Sequence, residues 1–176
     1  MEYQHAPGTV ESLLEYLKGF TSLGECPHTC STYKQCDGKW KNDVMGTKTI
    51  CQVGCLMSSV GMALHRNNKP VDGAEATPGH LNAWLKKHGG YSGNLFVWGS
   101  VSPLGLKYVG KFKSRDEIKK YLCSGKYEVV LNVNNGGHWV LATGVDSSGY
   151  NVNDPGYSKT HYGTGEVVQA AVFSIA

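Results

Sequence analysis

Three side chains in this chain could together carry nucleophilic chemistry: Cys55, His138 and Asp154. Cys55 follows Gly54 and opens CLMSSVGMAL, a run that is small and apolar almost all round. The run reads as a buried helix over 55–65. A helix N-terminus presents unpaired N–H groups and a partial positive charge, and both stabilise a thiolate. Taken alone, Cys55 also reads as a small buried hydrophobe or as half of a disulfide. His138 stands in NNGGHWVLATGVD, just after two glycines and at the head of an apolar strand. Alone it reads as a structural histidine. Asp154 closes YNVND ahead of Pro155, where an aspartate is an ordinary turn former. The pair is more specific than its members. His138 begins one strand and Asp154 ends its antiparallel neighbour, so both fall at one edge of the sheet. Strands about 4.8 Å apart bring the carboxylate within reach of the ring. A thiol, a base and an orienting carboxylate in this arrangement form a nucleophilic triad: the imidazole takes the thiol proton, and the aspartate fixes the ring tautomer.

The elements that must position these residues follow from local pattern. TVESLLEYLKGF at 9–20 is an amphipathic helix, with Val10, Leu13, Leu14 and Leu17 on one face. Residues 21–50 are rich in Gly, Pro, Cys and turn formers and have no period, so an irregular cysteine-tethered region is expected. TPGHLNAWLKKH at 77–88 has Thr77 at the cap, Pro78 at the first helical position and two glycines after it. SRDEIKKYL at 114–122 opens with Ser114 and Glu117 in capping-box register. From residue 127 the period changes. YEVVLNVN, HWVLATGVD, GYNVND and EVVQAAVFSI read as strands, with NNGG and DSSG as turns between the first three. Helices followed by an antiparallel sheet make an α+β fold, and 1–176 is expected to be one domain.

Composition removes several classes of function. The chain has 176 residues, 40% hydrophobic and 18% charged, with a net charge of +3. The basic residues are scattered, so nucleic acid is not an expected partner. No apolar run approaches the ~20 residues of a membrane helix, so no membrane partner is expected either. A high Gly, Asn and Tyr content with few Glu points to a secreted or extracytoplasmic protein. The opening MEYQHAPG nevertheless lacks the basic and apolar regions of a signal peptide.

GCLMSSVGMAL, GGHWVLATGVD and NDPG resemble the papain-like cysteine peptidases related to the bacteriocin-leader-processing peptidases. In that family a Gly-Cys precedes a patch of small residues with Ser-x-x-Met. A His opens an apolar strand, and an Asp precedes Pro on the next. YKQCDGKW at 33–40 resembles the Tyr-x-Gln-x-Asp-x-x-Trp stretch that precedes the cysteine in bacterial members, and TPGHLNAWLKKHGGY resembles the following helix. The match spans residues 33–156. It implies a papain-like fold, with a cysteine-bearing helix packed on an antiparallel sheet that bears His and Asp. It also implies a catalytic Cys55, His138 and Asp154. One departure stands out. Papain-like enzymes place an oxyanion-stabilising Gln six residues before the cysteine, and Thr49 is there in this chain. Gln35, in the YKQCD stretch, is the favoured substitute and Gln52 the alternative. An inserted loop at 38–50 accounts for the longer spacing.

Six cysteines fall at 26, 30, 36, 51, 55 and 123. Cys51 is a rival nucleophile, but it lies outside the apolar helix and follows Thr49 and Ile50. With Cys55 spared for chemistry, Cys26, Cys30, Cys36 and Cys51 form an even set, expected to pair into two disulfides. Cys123, at a helix end, is then a free buried thiol. A zinc site built from these cysteines and His28 is the alternative, although their spacing matches no common zinc pattern. No metal and no cofactor is expected.

The leading reading is a thiol hydrolase, acting as a monomer on a peptide or protein substrate through a thioester at Cys55. An acyltransferase or transamidase on the same site is the second reading. A catalytically inactive, disulfide-stapled peptide-binding module is the third.

Overall fold

The computed structural model describes residues 24–176 together with Val10; the amphipathic helix expected over 9–20 lies outside the described residues. In chain order come α1 (Ile50–Val53), α2 (Cys55–Arg66), α3 (Pro78–Lys87), β1 (Tyr91–Ser92) and β2 (Leu95–Phe96). They are followed by β3 (Leu106–Phe112), α4 (Arg115–Cys123), β4 (Tyr127–Val133), β5 (His138–Val145), β6 (Gly149–Asn153), β7 (His161–Gly163) and β8 (Gln169–Ile175). β1 and β2 form a small hairpin. The other six strands form one antiparallel sheet in the order β3-β8-β4-β5-β6-β7. The architecture is α+β, as the order of sequence patterns implies.

Caps act where the sequence places them. Thr77 accepts from the His80 N–H at 3.2 Å, and Ser114 accepts from the Glu117 N–H at 3.4 Å. β3 has no clear sequence signature, because LKYVGKF mixes lysines and a glycine into the alternation. It is nonetheless held at the sheet edge by six residue pairings to β8, with a bulge between Tyr108 and Gly110. β7 is a short strand of three residues and includes His161.

The continuous apolar runs of β4, β5 and β8 have a physical reason. Both faces of this sheet are covered, so both sets of alternate residues are buried. Val130, Leu141, Ala171 and Phe173 join the core under α2 and α3. Val129, Leu131, Val140, Ala142, Ala170 and Val172 join a second core with Ile118 and Leu122 of α4. Period-two alternation is present in the packing but invisible in hydropathy.

α2 is pinned to the sheet at its C-terminal end. The Arg66 guanidinium pairs with the fully buried carboxylate of Glu128 on β4, and Asn67 donates to the same carboxylate at 2.7 Å. Arg66 also donates to the carbonyl of His28. Breaking such a buried pair by removing one partner typically costs about 3–5 kcal/mol, because the other charge is left unpaired.

The cysteine pairing corrects one expectation. Two disulfides are present, but they are Cys36–Cys51 and Cys26–Cys123, and the free thiols are Cys30 and Cys55. The segment around Cys26 hydrogen-bonds to β5, through Glu25 and Val145 and from the His28 N–H to the Thr143 carbonyl. This route carries Cys26 to the C-terminal end of α4, where its Cα lies 5.1 Å from that of Cys123. Cys30 is turned elsewhere, toward Asn153, whose amide donates to its carbonyl at 2.9 Å and to its sulfur at 3.3 Å.

This pairing sets a first test. Unfolded, unreduced protein will titrate two free thiols, and mapping by digestion will place them at Cys30 and Cys55. The Cys26–Cys123 bridge spans a sequence separation of 97 residues. In the chain-entropy picture a loop of about 100 residues is worth about 4.7 kcal/mol. The double variant Cys26→Ser/Cys123→Ser is therefore expected to melt at least ~10 °C lower by calorimetry, on the usual ~2–4 °C per kcal/mol for a chain of this size.

Candidate active site

The N-terminus of α2 is built by a tight approach of α1. Thr49 caps α1, accepting from the Gln52 N–H at 3.3 Å while the Gln52 side chain accepts from the Thr49 N–H at 3.0 Å. The chain then turns through Gly54, whose N–H donates to the Ile50 carbonyl at 2.7 Å. A Cβ at Gly54 would lie 2.5 Å from that carbonyl oxygen, so only glycine lets α1 pack this closely against the start of α2. Cys55 is thereby the first residue of a helix whose next turns are buried. Ser59, one turn on, donates to the Cys55 carbonyl at 2.9 Å.

His138 is the first residue of β5, opposite Val133. Asn132, 3% exposed, fixes its backbone, donating to the carbonyls of both Gly136 and His138 at 3.0 Å. Asn134 and Asn135 take left-handed backbone angles (φ 52° and 53°), which asparagine tolerates better than most residues. β5 and β6 pair with Leu141 opposite Asn153. Continuing that register sets Asp154 opposite Val140 and makes it a diagonal neighbour of His138 on the same face. His138 Nε2 donates to Asp154 Oδ1 at 2.7 Å. Trp139 alternates to the other face, with its ring centroid 5.3 Å from that of Trp98, and it is not among the residues lining the cleft.

Asp154 is 2% exposed and satisfies four donors. Besides His138, its Oδ1 accepts from the N–H groups of Gly156 at 2.8 Å and Tyr157 at 3.0 Å. Its Oδ2 accepts from the Tyr162 hydroxyl at 2.6 Å. The turn-forming and orienting readings of this aspartate thus hold together. Burial alone would raise its carboxyl, but the hydrogen bonds from His138, Tyr162 and the two N–H groups outweigh it and hold the pKa below the usual range. Burial of His138 likewise opposes its charged form. The hydrogen bonds to Asp154 and to Cys55, with the charges of both, reverse that and carry the ring up to about 9. With Nε2 given to Asp154, Nδ1 is the nitrogen left to face the thiol.

Gln35 reaches the same cleft. Its N–H donates to the Pro155 carbonyl at 2.9 Å, and Lys34 Nζ donates to the carbonyls of Asp154 and Tyr157 at 2.6 and 2.7 Å. The Gln35 side-chain amide donates to the Cys51 carbonyl at 2.8 Å. Its oxygen is buried without a partner. Gln52 also borders the cleft, but its oxygen is engaged in the α1 cap. The Cys36–Cys51 disulfide sits beside Gln35 in the cleft wall, which removes Cys51 as a free nucleophile. Cys26, Cys36 and Cys51 are all in disulfides, so of the cysteines in the zinc alternative with His28 only Cys30 keeps a free thiol. The cleft has a volume of about 380 Å³, and Val53, Gly137, Gly156 and Tyr157 complete its lining. Tyr162 and Asn132 escaped the sequence reading. Each lies in a strand with no motif and acts through a partner distant in the chain.

No protein-family model matches this chain, and no curated protein matches it. Among solved structures, the chain is similar to a double glycine motif protease from an AMS/PCAT transporter, crystallised in complex with the leader peptide. The TM-score is 0.55 at 16% sequence identity, over 85% of this chain and 94% of that one. The likeness shows the fold, which is the papain-like α+β fold that the sequence motifs imply.

The ring's elevated pKa gives a second test. The carbon-bound imidazole protons of His138 will titrate near pH 9 by NMR. In Asp154→Asn, which keeps an acceptor oxygen but loses the charge, that midpoint will move down toward the ordinary ~6.5. A raised folded-state pKa stabilises the fold fully below the unfolded value and is lost as pH climbs through the folded one. His138 therefore adds stability at pH 6 that fades between about 6.5 and 9, and Asp154→Asn will flatten that part of the pH–stability curve.

Proposed function

We propose that this chain is a cysteine peptidase that hydrolyses a peptide bond through a thioester on Cys55. One observation carries the reading: a half-buried thiol at the head of a buried helix faces an imidazole whose other nitrogen is held at 2.7 Å by a buried carboxylate. The fold shared with a protease supports it.

With the ring held up to about 9, imidazolium is its form at neutral pH, and the reacting form proposed for the pair is a thiolate beside that imidazolium. The Cys55 sulfur attacks the carbonyl carbon of the substrate. The π electrons move to the oxygen, which becomes an oxyanion. Unpaired N–H groups at the start of α2 lie on the nucleophile's own turn and suit that charge. The Gln35 amide, with one N–H on the Cys51 carbonyl, has a second to offer. His138 then passes its Nδ1 proton to the leaving nitrogen, the C–N bond breaks, and an amine departs. Water follows. His138 takes its proton, hydroxide adds to the thioester, the C–S bond breaks, and the acid leaves with thiolate and imidazolium restored. Throughout, Asp154 holds the ring by Nε2 and offsets its charge. In an acyltransferase the same thioester would be resolved by an amine instead of water. A peptide-binding module would bind without turnover.

Monomeric action on a peptide substrate belongs to this proposal. So does an extracytoplasmic setting, since paired cysteines persist where the medium is oxidising.

The decisive experiment joins labelling with turnover. An iodoacetamide-type or epoxide reagent is expected to modify Cys55 ahead of Cys30, whose thiol burial pushes up. Cys55→Ala and His138→Ala will each abolish Cys55-dependent peptide cleavage while circular dichroism stays unchanged. Labelling without cleavage, with product appearing only when an amine is supplied, would favour the transferase. Gln35→Ala should lower kcat by ~10²–10³, the usual cost of one oxyanion donor. Cys36→Ser/Cys51→Ser should lower kcat in the same direction but by less, because the disulfide acts through Gln35. Wild-type activity is accordingly expected to peak at mild reductant and to fall when strong reductant opens that bridge.

A further inference from the structure

Resting on the peptidase reading and deepening it, we infer that Tyr157 is a specificity-determining residue on the leaving-group side of the cleft, where it receives an uncharged apolar side chain from the residue just after the scissile bond. Chemistry assigns the sides. The acyl half of the substrate stays on Cys55, while the leaving nitrogen must take its proton from His138. The chain beyond the scissile bond therefore passes over the imidazole, and whatever flanks that ring meets the first leaving residue.

The flank is almost bare. Gly137 and Gly156 have no side chain to offer. A Cβ at Gly156 would lie 2.8 Å from His138 Cε1 and 3.3 Å from Gln35 Oε1, so that position admits nothing larger. Tyr157 is the exception. Its ring stands 5.0 Å from the imidazole at 80°, and the residue is 56% exposed, although its backbone is held on both sides. Its N–H donates to Asp154 Oδ1 at 3.0 Å, and its carbonyl accepts from Lys34 Nζ at 2.7 Å. A large aromatic presented to solvent from a fixed backbone gives contact area at small ordering cost. None of the cleft residues is Asp, Glu, Lys or Arg. A charged side chain entering here would lose water, and the His138 imidazolium beside it is already taken by Asp154 and Cys55. Apolar and aromatic side chains would instead bury against the Tyr157 ring.

The test uses a proteome-derived peptide library, cleaved by the full chain and read by mass spectrometry. For wild type, aromatic and large aliphatic residues are expected just after the cut at least ~10-fold more often than Asp, Glu, Lys or Arg, a ratio within reach of one apolar contact. Tyr157→Phe keeps this preference. Tyr157→Ala flattens it to within ~3-fold, through KM for peptides with apolar leaving residues, while the preference before the cut stays as in wild type. A role confined to structure would slow all peptides alike and leave the preference intact, and that result overturns the inference. So does Cys55-dependent cleavage by wild type with no preference after the cut. Absence of any Cys55-dependent cleavage overturns the peptidase reading itself, and this inference with it.

Discussion

The carboxylate of Asp154 is the constraint on which the site depends. A buried carboxylate is tolerable only when its lone pairs are taken, and here four donors take them. Those donors come from three places: the head of β5, the turn just after β6, and β7. Satisfying one buried charge therefore fixes the imidazole, shapes the turn that carries Gly156 and Tyr157, and anchors the edge strand that supplies Tyr162. The same turn accepts Lys34 and the Gln35 N–H, so the segment bearing the amide is located by the chain that bears the carboxylate. Loss of the Asp154 charge would thus be felt at the ring, at the turn and at Gln35 together.

The helix carrying the nucleophile is fixed differently. Its first turn is placed by backbone packing through Gly54, and its last turn by the Arg66–Glu128 pair. The ion pair lies at the opposite end of α2 from Cys55, yet it sets how α2 lies on the sheet that carries His138. Two unrelated devices, a glycine contact and a buried ion pair, hold the ends of one helix. A displacement of either would carry the thiol away from the ring.

What could be read from the sequence divides along the range of the interactions. Helix caps at Thr77 and Ser114, the buried helix behind Cys55 and the β5–β6 hairpin are local, so composition and period disclose them. The hairpin also brought His138 and Asp154 into view, because register over a short turn is a local property. Longer-range partners were not legible. The Cys26–Cys123 bridge depends on a segment joining β5 beyond the reach of β4, and no spacing rule predicts that. β8 lies between β3 and β4, so β3 becomes a strand only once the last residues of the chain arrive beside it. Tyr162 lies in KTHYGTG, where no local pattern marks a strand. Its role comes from a hydroxyl meeting a carboxylate eight positions earlier across two strands.

Gln35 sits between these cases, and it shows how a departure from pattern can be absorbed. The amide was suggested by a short motif, but its distance from Cys55 in sequence made the assignment ambiguous with Gln52. Covalent and hydrogen-bonded constraint fixes where Gln35 lies. The Cys36–Cys51 bridge closes a sequence separation of 15, and the Gln35 amide bonds the carbonyl of Cys51 itself. The loop between them can then vary in length without moving the amide, because its two ends are joined. Gln52 meanwhile serves the cap of α1, a role set by its position three residues after Thr49. In the proposed mechanism the disulfide stands in for the sequence proximity that a glutamine at position 49 would provide. That substitution also places an oxidised cysteine pair in the wall of a cleft whose proposed chemistry needs a reduced thiol. The two sulfur states coexist only if Cys55 is kept from exchange with the bridge, and its pairing with His138 at the head of α2 points the thiol to the ring instead.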